Sequence, residues 1–148
     1  MIFVTVGTYS FDALIKEVDK LTAQGFFKDE KVLCQIGSGS YEPEHCEFIR
    51  YSSSLQKFYE QANFIICHGG TGSTSDCIRY EKSFIAVAHK ELADNHQTEF
   101  LKGLSEELGF FWAEGPEGIE NLYEKAKLKK TYRAITRLFD DLNDYIKS

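Results

Sequence analysis

No apolar run in this chain approaches the roughly 20 residues that a membrane-spanning helix needs. No basic segment with a cleavage site precedes the first apolar stretch, so no signal peptide is expected. Cationic excess is missing too: 17 Lys and Arg stand against 23 Asp and Glu, a formal charge of −6. Nucleic-acid binding needs a cationic footprint and is a poor fit. The four cysteines, Cys34, Cys46, Cys67 and Cys77, form no CxxC pair, and three of them lie in apolar stretches. Reduced, buried thiols in a cytoplasmic protein are expected, rather than a zinc site or a disulfide framework. What is present is a globular composition, 43% hydrophobic and 14% aromatic over 148 residues. That length suits one domain, 1–148, with a proper core.

The most informative segment is Phe64–Asp76, in which an apolar run meets Gly69-Gly-Thr-Gly-Ser73. A strand that enters a glycine-rich turn and then a helix brings backbone N–H groups and a helix N-terminus to one point, where a phosphate can sit. Glycine permits close approach of a ligand and, in some turns, positive φ. Asp76 follows about one helical turn on, placed to accept hydrogen bonds from hydroxyls such as those of a ribose. No Gly-Lys-Ser/Thr follows, Ser73 is not framed as Gly-x-Ser-x-Gly, and GxGxxG is absent. A bland alternative is a tight strand-to-helix connection.

Apolar runs alternate with helical periodicity along the chain. Strands are expected at Ile2–Val6, Lys31–Ile36, Cys46–Ile49, Phe64–Cys67, Ser83–Ala88 and Phe110–Ala113. Ser10 is expected to cap a helix with Phe11, Leu14, Ile15, Val18 and Leu21 on one face, ended by Gly25. Further helices are expected at Leu55–Ala62, Ser73–Tyr80, from an Asp94 cap to Leu108, at Ile119–Ala126 and at Lys130–Ile146. This alternation predicts an α/β fold, a Rossmann-like parallel sheet with helices on both faces. Such sheets bind ligands beyond the carboxyl ends of their strands. The loops there are Gly7–Ser10, Gly37–Ser40, His68–Ser73 and His89–Gln97, the polar, glycine-bearing loops of the chain.

Together, Phe3–Thr8, Gln35-Ile-Gly37, Asn63–Asp76 and Asp94-Asn-His-Gln97 with Glu99 carry a family resemblance. The chain resembles the family 28 carboxyl-terminal domain of the GT-B glycosyltransferases, the half that binds the nucleotide sugar. It looks closest to single-domain members: exopolysaccharide transferase subunits of the PssE type and the catalytic subunit of the two-subunit N-acetylglucosaminyltransferase of asparagine-linked glycosylation. The resemblance implies a UDP-sugar donor, with Gly7 and Thr8 near its phosphates and sugar. It implies uracil at the Tyr51-Ser52 stretch and pyrophosphate at Gly69, Gly70, Thr71, Gly72 and Ser73; His68, just before that turn, reads either as a phosphate contact or as a structural residue that orients the turn. Asp76 would hold the ribose. Asn95, His96 and Gln97 would meet the donor sugar, with Asp94 beside them as a further binding candidate. The Gly37–Ser40 turn reads as lining the donor cleft, with an ordinary glycine-serine turn as the alternative. The family's usual Pro before the next apolar run is Ser83 here.

An inverting hexosyltransferase without a metal cofactor fits these parts, because helix ends and backbone N–H groups can stabilise a leaving diphosphate. No Asp-x-Asp clamp is present near the motifs; Asp140-Asp141 lies in the terminal segment. The resemblance places the acceptor pocket on a separate, membrane-anchored subunit, with a lipid-linked saccharide as acceptor. The base would also lie there, with His96 the candidate on this chain. The chain itself would sit at the inner face of the membrane through that partner, in exopolysaccharide or capsule assembly. The rival readings are a nucleotide-sugar-binding regulatory module without turnover and an epimerase-like enzyme. His45 and His89 read as loop residues. The basic run Lys125–Lys130 reads as a solvated face, with contact to the partner or to anionic headgroups as the sharper alternative.

Overall fold

The structure is a computed structural model that describes residues 1–89 and 96–129, the side chain of residue 96 excepted. Six strands form one sheet: β1 (Ile2–Thr5), β2 (Val32–Gln35), β3 (Glu47–Ile49), β4 (Phe64–His68), β5 (Ser83–Val87) and β6 (Phe111–Ala113). Their order is β3-β2-β1-β4-β5-β6 and every pairing is parallel. The chain winds outward from β1 to one edge, returns to the centre at β4, and winds to the other edge. This is the doubly wound order, whose switch point lies between β1 and β4. The Rossmann-like α/β expectation is met.

Both faces of the central strands are buried, which is why β1, β4 and β5 read as largely apolar runs. Alternation divides their side chains between two cores. Val4, Ile66, Ile85 and Val87 pack against α1 (Asp12–Ala23) and the last described helix, Ile119–Lys127, on one face. On the other face, Phe3, Ile65, Phe84 and Ala86 pack against α2 (Gln56–Gln61), α3 (Thr71–Arg79) and α4 (His96–Leu108). That last described helix, α5, follows a short 3₁₀ turn at Pro116–Gly118.

The apolar face expected of α1 is buried as read, from Phe11 through Leu14, Ile15, Val18 and Leu21. Gly25 ends the helix with φ +74, its N–H on the Thr22 carbonyl and the Phe26 N–H on the Leu21 carbonyl. That pair of bonds is a Schellman cap, which needs a left-handed residue at this position. Ser10 does not cap the helix. The N-cap is Phe11, with no side-chain cap bond. Its ring is buried and stacks on His89 at 3.9 Å, so packing sets where the helix begins. Helix α3 starts at Thr71, two residues before the expected Ser73, so the glycine turn is tighter than its sequence suggests. Asp94, Asn95 and the expected Lys130–Ile146 helix lie outside the described residues. No described helix is long and apolar enough to cross a membrane.

Candidate functional site

The carboxyl ends of β1 and β4 stand side by side at the switch point, and a cleft of about 390 Å³ opens above them. Its lining comes from three places. The loop after β1 gives Gly7, Thr8 and Tyr9; the stretch after β3 gives Tyr51, Ser52 and Leu55; β4 and α3 give His68, Gly70, Thr71, Gly72, Ser73 and Asp76. Gln35 and Tyr59 close it from below. Ten of the residues expected from the sequence therefore meet in one cavity, although they span residues 7 to 76.

His68 lies between two glycines at the centre. A Cβ at Gly7, where φ is +71, would stand 2.5 Å from His68 Nε2, and a Cβ at Gly70 would collide with the same ring. His68 Nδ1 accepts the Gly70 N–H at 3.3 Å, which assigns the ring proton to Nε2. Burial, helped by the charge of His89, pushes the imidazole down to about 4. The ring is thus neutral at pH 7. It shapes the turn instead of supplying a cation.

Helix α3 begins with no side chain over its end, because its N-cap is Gly70. The N–H groups of Thr71, Gly72 and Ser73 belong to a first turn that has no intrahelical acceptors. They and the helix dipole make this end of the cleft electropositive without any charged residue. The buried Tyr59 lines the cleft beside Ser73, and burial pushes its phenol pKa up. Asp76 sits on the next turn. Burial raises its carboxyl pKa, and Arg79, 3.9 Å away, opposes that rise.

Some expected residues stand elsewhere. Gly37 lies under the first loop and not in the cleft; with φ +61, a Cβ there would collide with the Tyr9 carbonyl. Gly69 is buried behind the turn, its N–H on the Val87 carbonyl at 2.7 Å. Gln97 also stands behind it, where its Oε1 accepts the His89 N–H at 2.9 Å and ties the end of β5 to α4. Helix α4 begins at His96. The reading of single residues passed over Tyr9, Leu55 and Tyr59, which no motif marks. The Gln35 side chain carried a signal, a polar residue closing an otherwise apolar strand. Among the described residues, no group of three or more His, Cys, Asp or Glu is placed to hold a metal ion.

The description "Glycosyltransferase family 28 C-terminal domain" matches residues 1–138. The chain is 32% identical over 124 residues to UDP-N-acetylglucosamine transferase subunit ALG13 of Homo sapiens, covering 75% of this chain and 11% of that protein. It therefore spans about a tenth of the length of that relative. It is 33% identical over 67 residues to the UDP-N-acetylglucosamine--N-acetylmuramyl-(pentapeptide) pyrophosphoryl-undecaprenol N-acetylglucosamine transferase of Leptospira interrogans, covering 41% of this chain and 19% of that one. The crystal structure of MurG from Acinetobacter baumannii superposes with a TM-score of 0.62 at 17% identity, over 97% of this chain and 49% of that one. That likeness is one of fold.

Proposed function

This chain belongs to the glycosyltransferase family 28 C-terminal domain family, and on that premise we propose that it is the donor-binding, catalytic subunit of a UDP-sugar glycosyltransferase. The observation that carries the reading is the uncapped start of α3 at the switch point, with the Asp76 carboxylate one turn further on. A diphosphate fits the N–H groups of Thr71, Gly72 and Ser73. A ribose then reaches Asp76, and a base reaches the rim at Tyr51 and Ser52. Gly7 and Thr8 face the phosphates from the opposite wall, where a larger residue at 7 would strike His68. We assign Asp94, Asn95, His96 and Gln97 to the donor sugar.

In the transfer, an acceptor hydroxyl oxygen bonds to the anomeric carbon from the face opposite UDP. The bond from that carbon to the diphosphate breaks, and its electron pair stays on the β-phosphate oxygen. Inversion follows from the opposite-face attack. The first turn of α3 stabilises the developing charge with dipoles already in place, and no metal is needed. The acceptor proton passes to a base on a membrane-anchored partner subunit, with His96 the candidate here. The relatives' names support the donor class, a multi-subunit enzyme and a pyrophosphoryl-polyprenol-type acceptor. We assign a lipid-linked saccharide as acceptor, at the inner membrane face, in exopolysaccharide or capsule assembly.

One observation favours a second reading, a nucleotide-sugar-binding regulatory module without turnover. His68, the imidazole of the described cleft, is neutral and its Nδ1 is engaged. The test is a titration of the chain with UDP and UDP-sugars without divalent metal, beside Asp76→Ala. UDP binding weakened about tenfold in the variant is expected from loss of charge-assisted hydrogen bonds. No uridine nucleotide binding, alone or with the partner, would refute the donor site. Turnover by the reconstituted pair separates subunit from module.

A further inference from the structure

We infer that Gln35 is the positioning residue that sets the spacing between the phosphate wall and the nucleobase rim of the cleft. It closes β2 and is only 2% exposed. Its Oε1 accepts the Thr5 hydroxyl at 2.6 Å and the Val6 N–H at 3.2 Å. Its Nε2 donates to the Gly7 carbonyl at 3.0 Å and to the Arg50 carbonyl at 2.8 Å. Two acceptor sites and two donors are the whole capacity of a carboxamide, and all are used. The amide therefore has one orientation, since a flip would set its NH₂ against the Val6 N–H and its oxygen against two carbonyls.

The partners explain the role. Gly7 immediately precedes Thr8, on the wall that faces the diphosphate. Arg50 immediately precedes Tyr51 and Ser52, on the rim that takes the base. These walls follow β1 and β3, which are not neighbours; β2 lies between them. The paired residues end at Thr5, Gln35 and Ile49, and only single backbone bonds continue beyond them, from the Val6 N–H to the Gln35 carbonyl, from the Ile36 N–H to the Ile49 carbonyl and from the Gly37 N–H to the Arg50 carbonyl. One side chain at the end of the middle strand reaches both. The Thr5 hydroxyl extends the strap by accepting the Gly7 N–H at 3.3 Å, and the Gly37 N–H shares the Arg50 carbonyl at 3.1 Å.

A ligand that touches both walls gains from having them at a fixed separation, because the second contact is then made at high effective concentration. A fragment that touches one wall gains nothing from it. The inference rests on the donor site proposed above and predicts a signature that general destabilisation lacks.

The test is a titration of the full chain, wild type, Gln35→Met and Gln35→Asn, with UDP, uridine and inorganic pyrophosphate. Amide chemical shifts reach the millimolar range of the fragments. UDP is expected to bind about tenfold more weakly to both variants, while uridine and pyrophosphate each change less than about twofold. Thermal melts accompany every variant. Should the Gln35 variants fail to fold, Thr5→Val carries the test. It frees one side of the amide and should weaken UDP about threefold, again sparing the fragments. Unchanged UDP affinity, or parallel loss for all three ligands, overturns the inference while leaving the donor site intact. A wild type that does not bind UDP overturns the donor site and the inference with it.

Discussion

Acidification should unfold this protein partly through His68, and the size of the effect follows from its surroundings. The imidazole is 8% exposed, and its Nδ1 is occupied by the Gly70 N–H. Burial first, and the charge of His89 second, lower its pKa from 6.5 to about 4. The folded state therefore takes up this proton later than the unfolded chain as the pH falls. The stability it protects is intact above pH 6.5 and is lost progressively between about 6.5 and 4. A gap of that width corresponds to about 3 kcal/mol in total, with a limiting slope of about 1.4 kcal/mol per pH unit. The perturbation is His68→Asn, whose carboxamide oxygen can still accept the Gly70 N–H but does not titrate. Urea unfolding of both proteins, stepped from pH 7 to 4.5, isolates the histidine by difference. Asp19, held low, and Asp76, held high, titrate in both proteins and cancel. The wild type should lose about 2 to 3 kcal/mol more than the variant over that range. Parallel curves would refute the reasoning, as would a His68 ring resonance that titrates near 6.5. UDP affinity should also stay level from pH 7 to 5.5 as far as this group is concerned, because the ring is neutral throughout.

Two further outcomes can be read directly. Gly37→Ala should cost more than about 3 kcal/mol, because its positive φ and the Tyr9 carbonyl both oppose a Cβ. Gly25→Ala, at positive φ but in open space, should cost about 1 kcal/mol in the same denaturant melts, and equal losses would refute the distinction. A chromogenic disulfide reagent should label Cys46 first in the native protein. That thiol is half-buried and its pKa is lowered by the hydrogen bond from Cys34, whereas Cys34, Cys67 and Cys77 are buried. Cys46→Ser should remove the fast phase, and peptide mapping that finds it on Cys67 or Cys77 would contradict the assignment.

The fold was legible because its signals are local. Runs such as Phe64–His68 are apolar on both faces, and the α1 stripe from Phe11 to Leu21 has helical spacing; each shows itself within a dozen residues. The glycine turn was legible for the same reason. What escaped depends on contacts across the fold. Gly37 was read as lining the donor cleft, yet it supports Tyr9, 28 residues earlier in the chain. Gln97 has a structural tie that its motif does not announce, because its carboxamide oxygen accepts the His89 N–H. A motif states which residue types gather at an edge. It does not state which of them faces the ligand and which holds the residue that does.

A further pattern runs along the sheet. Thr5, Gln35 and His68 are the last residues of β1, β2 and β4, and all three are buried polar side chains closing strands that are otherwise largely apolar. The strands outside them, β3, β5 and β6, end in Ile49, Val87 and Ala113. Polar ends thus mark the three adjacent strands at the switch point. Burying a hydroxyl, a carboxamide or an imidazole is costly unless it is hydrogen-bonded. Each of these reaches past the end of the ladder to a loop N–H: Thr5 to Gly7, Gln35 to Val6 and His68 to Gly70. Loops that must meet a ligand cannot be held from above, where the ligand goes. They are held from below, by polar side chains at the strand ends.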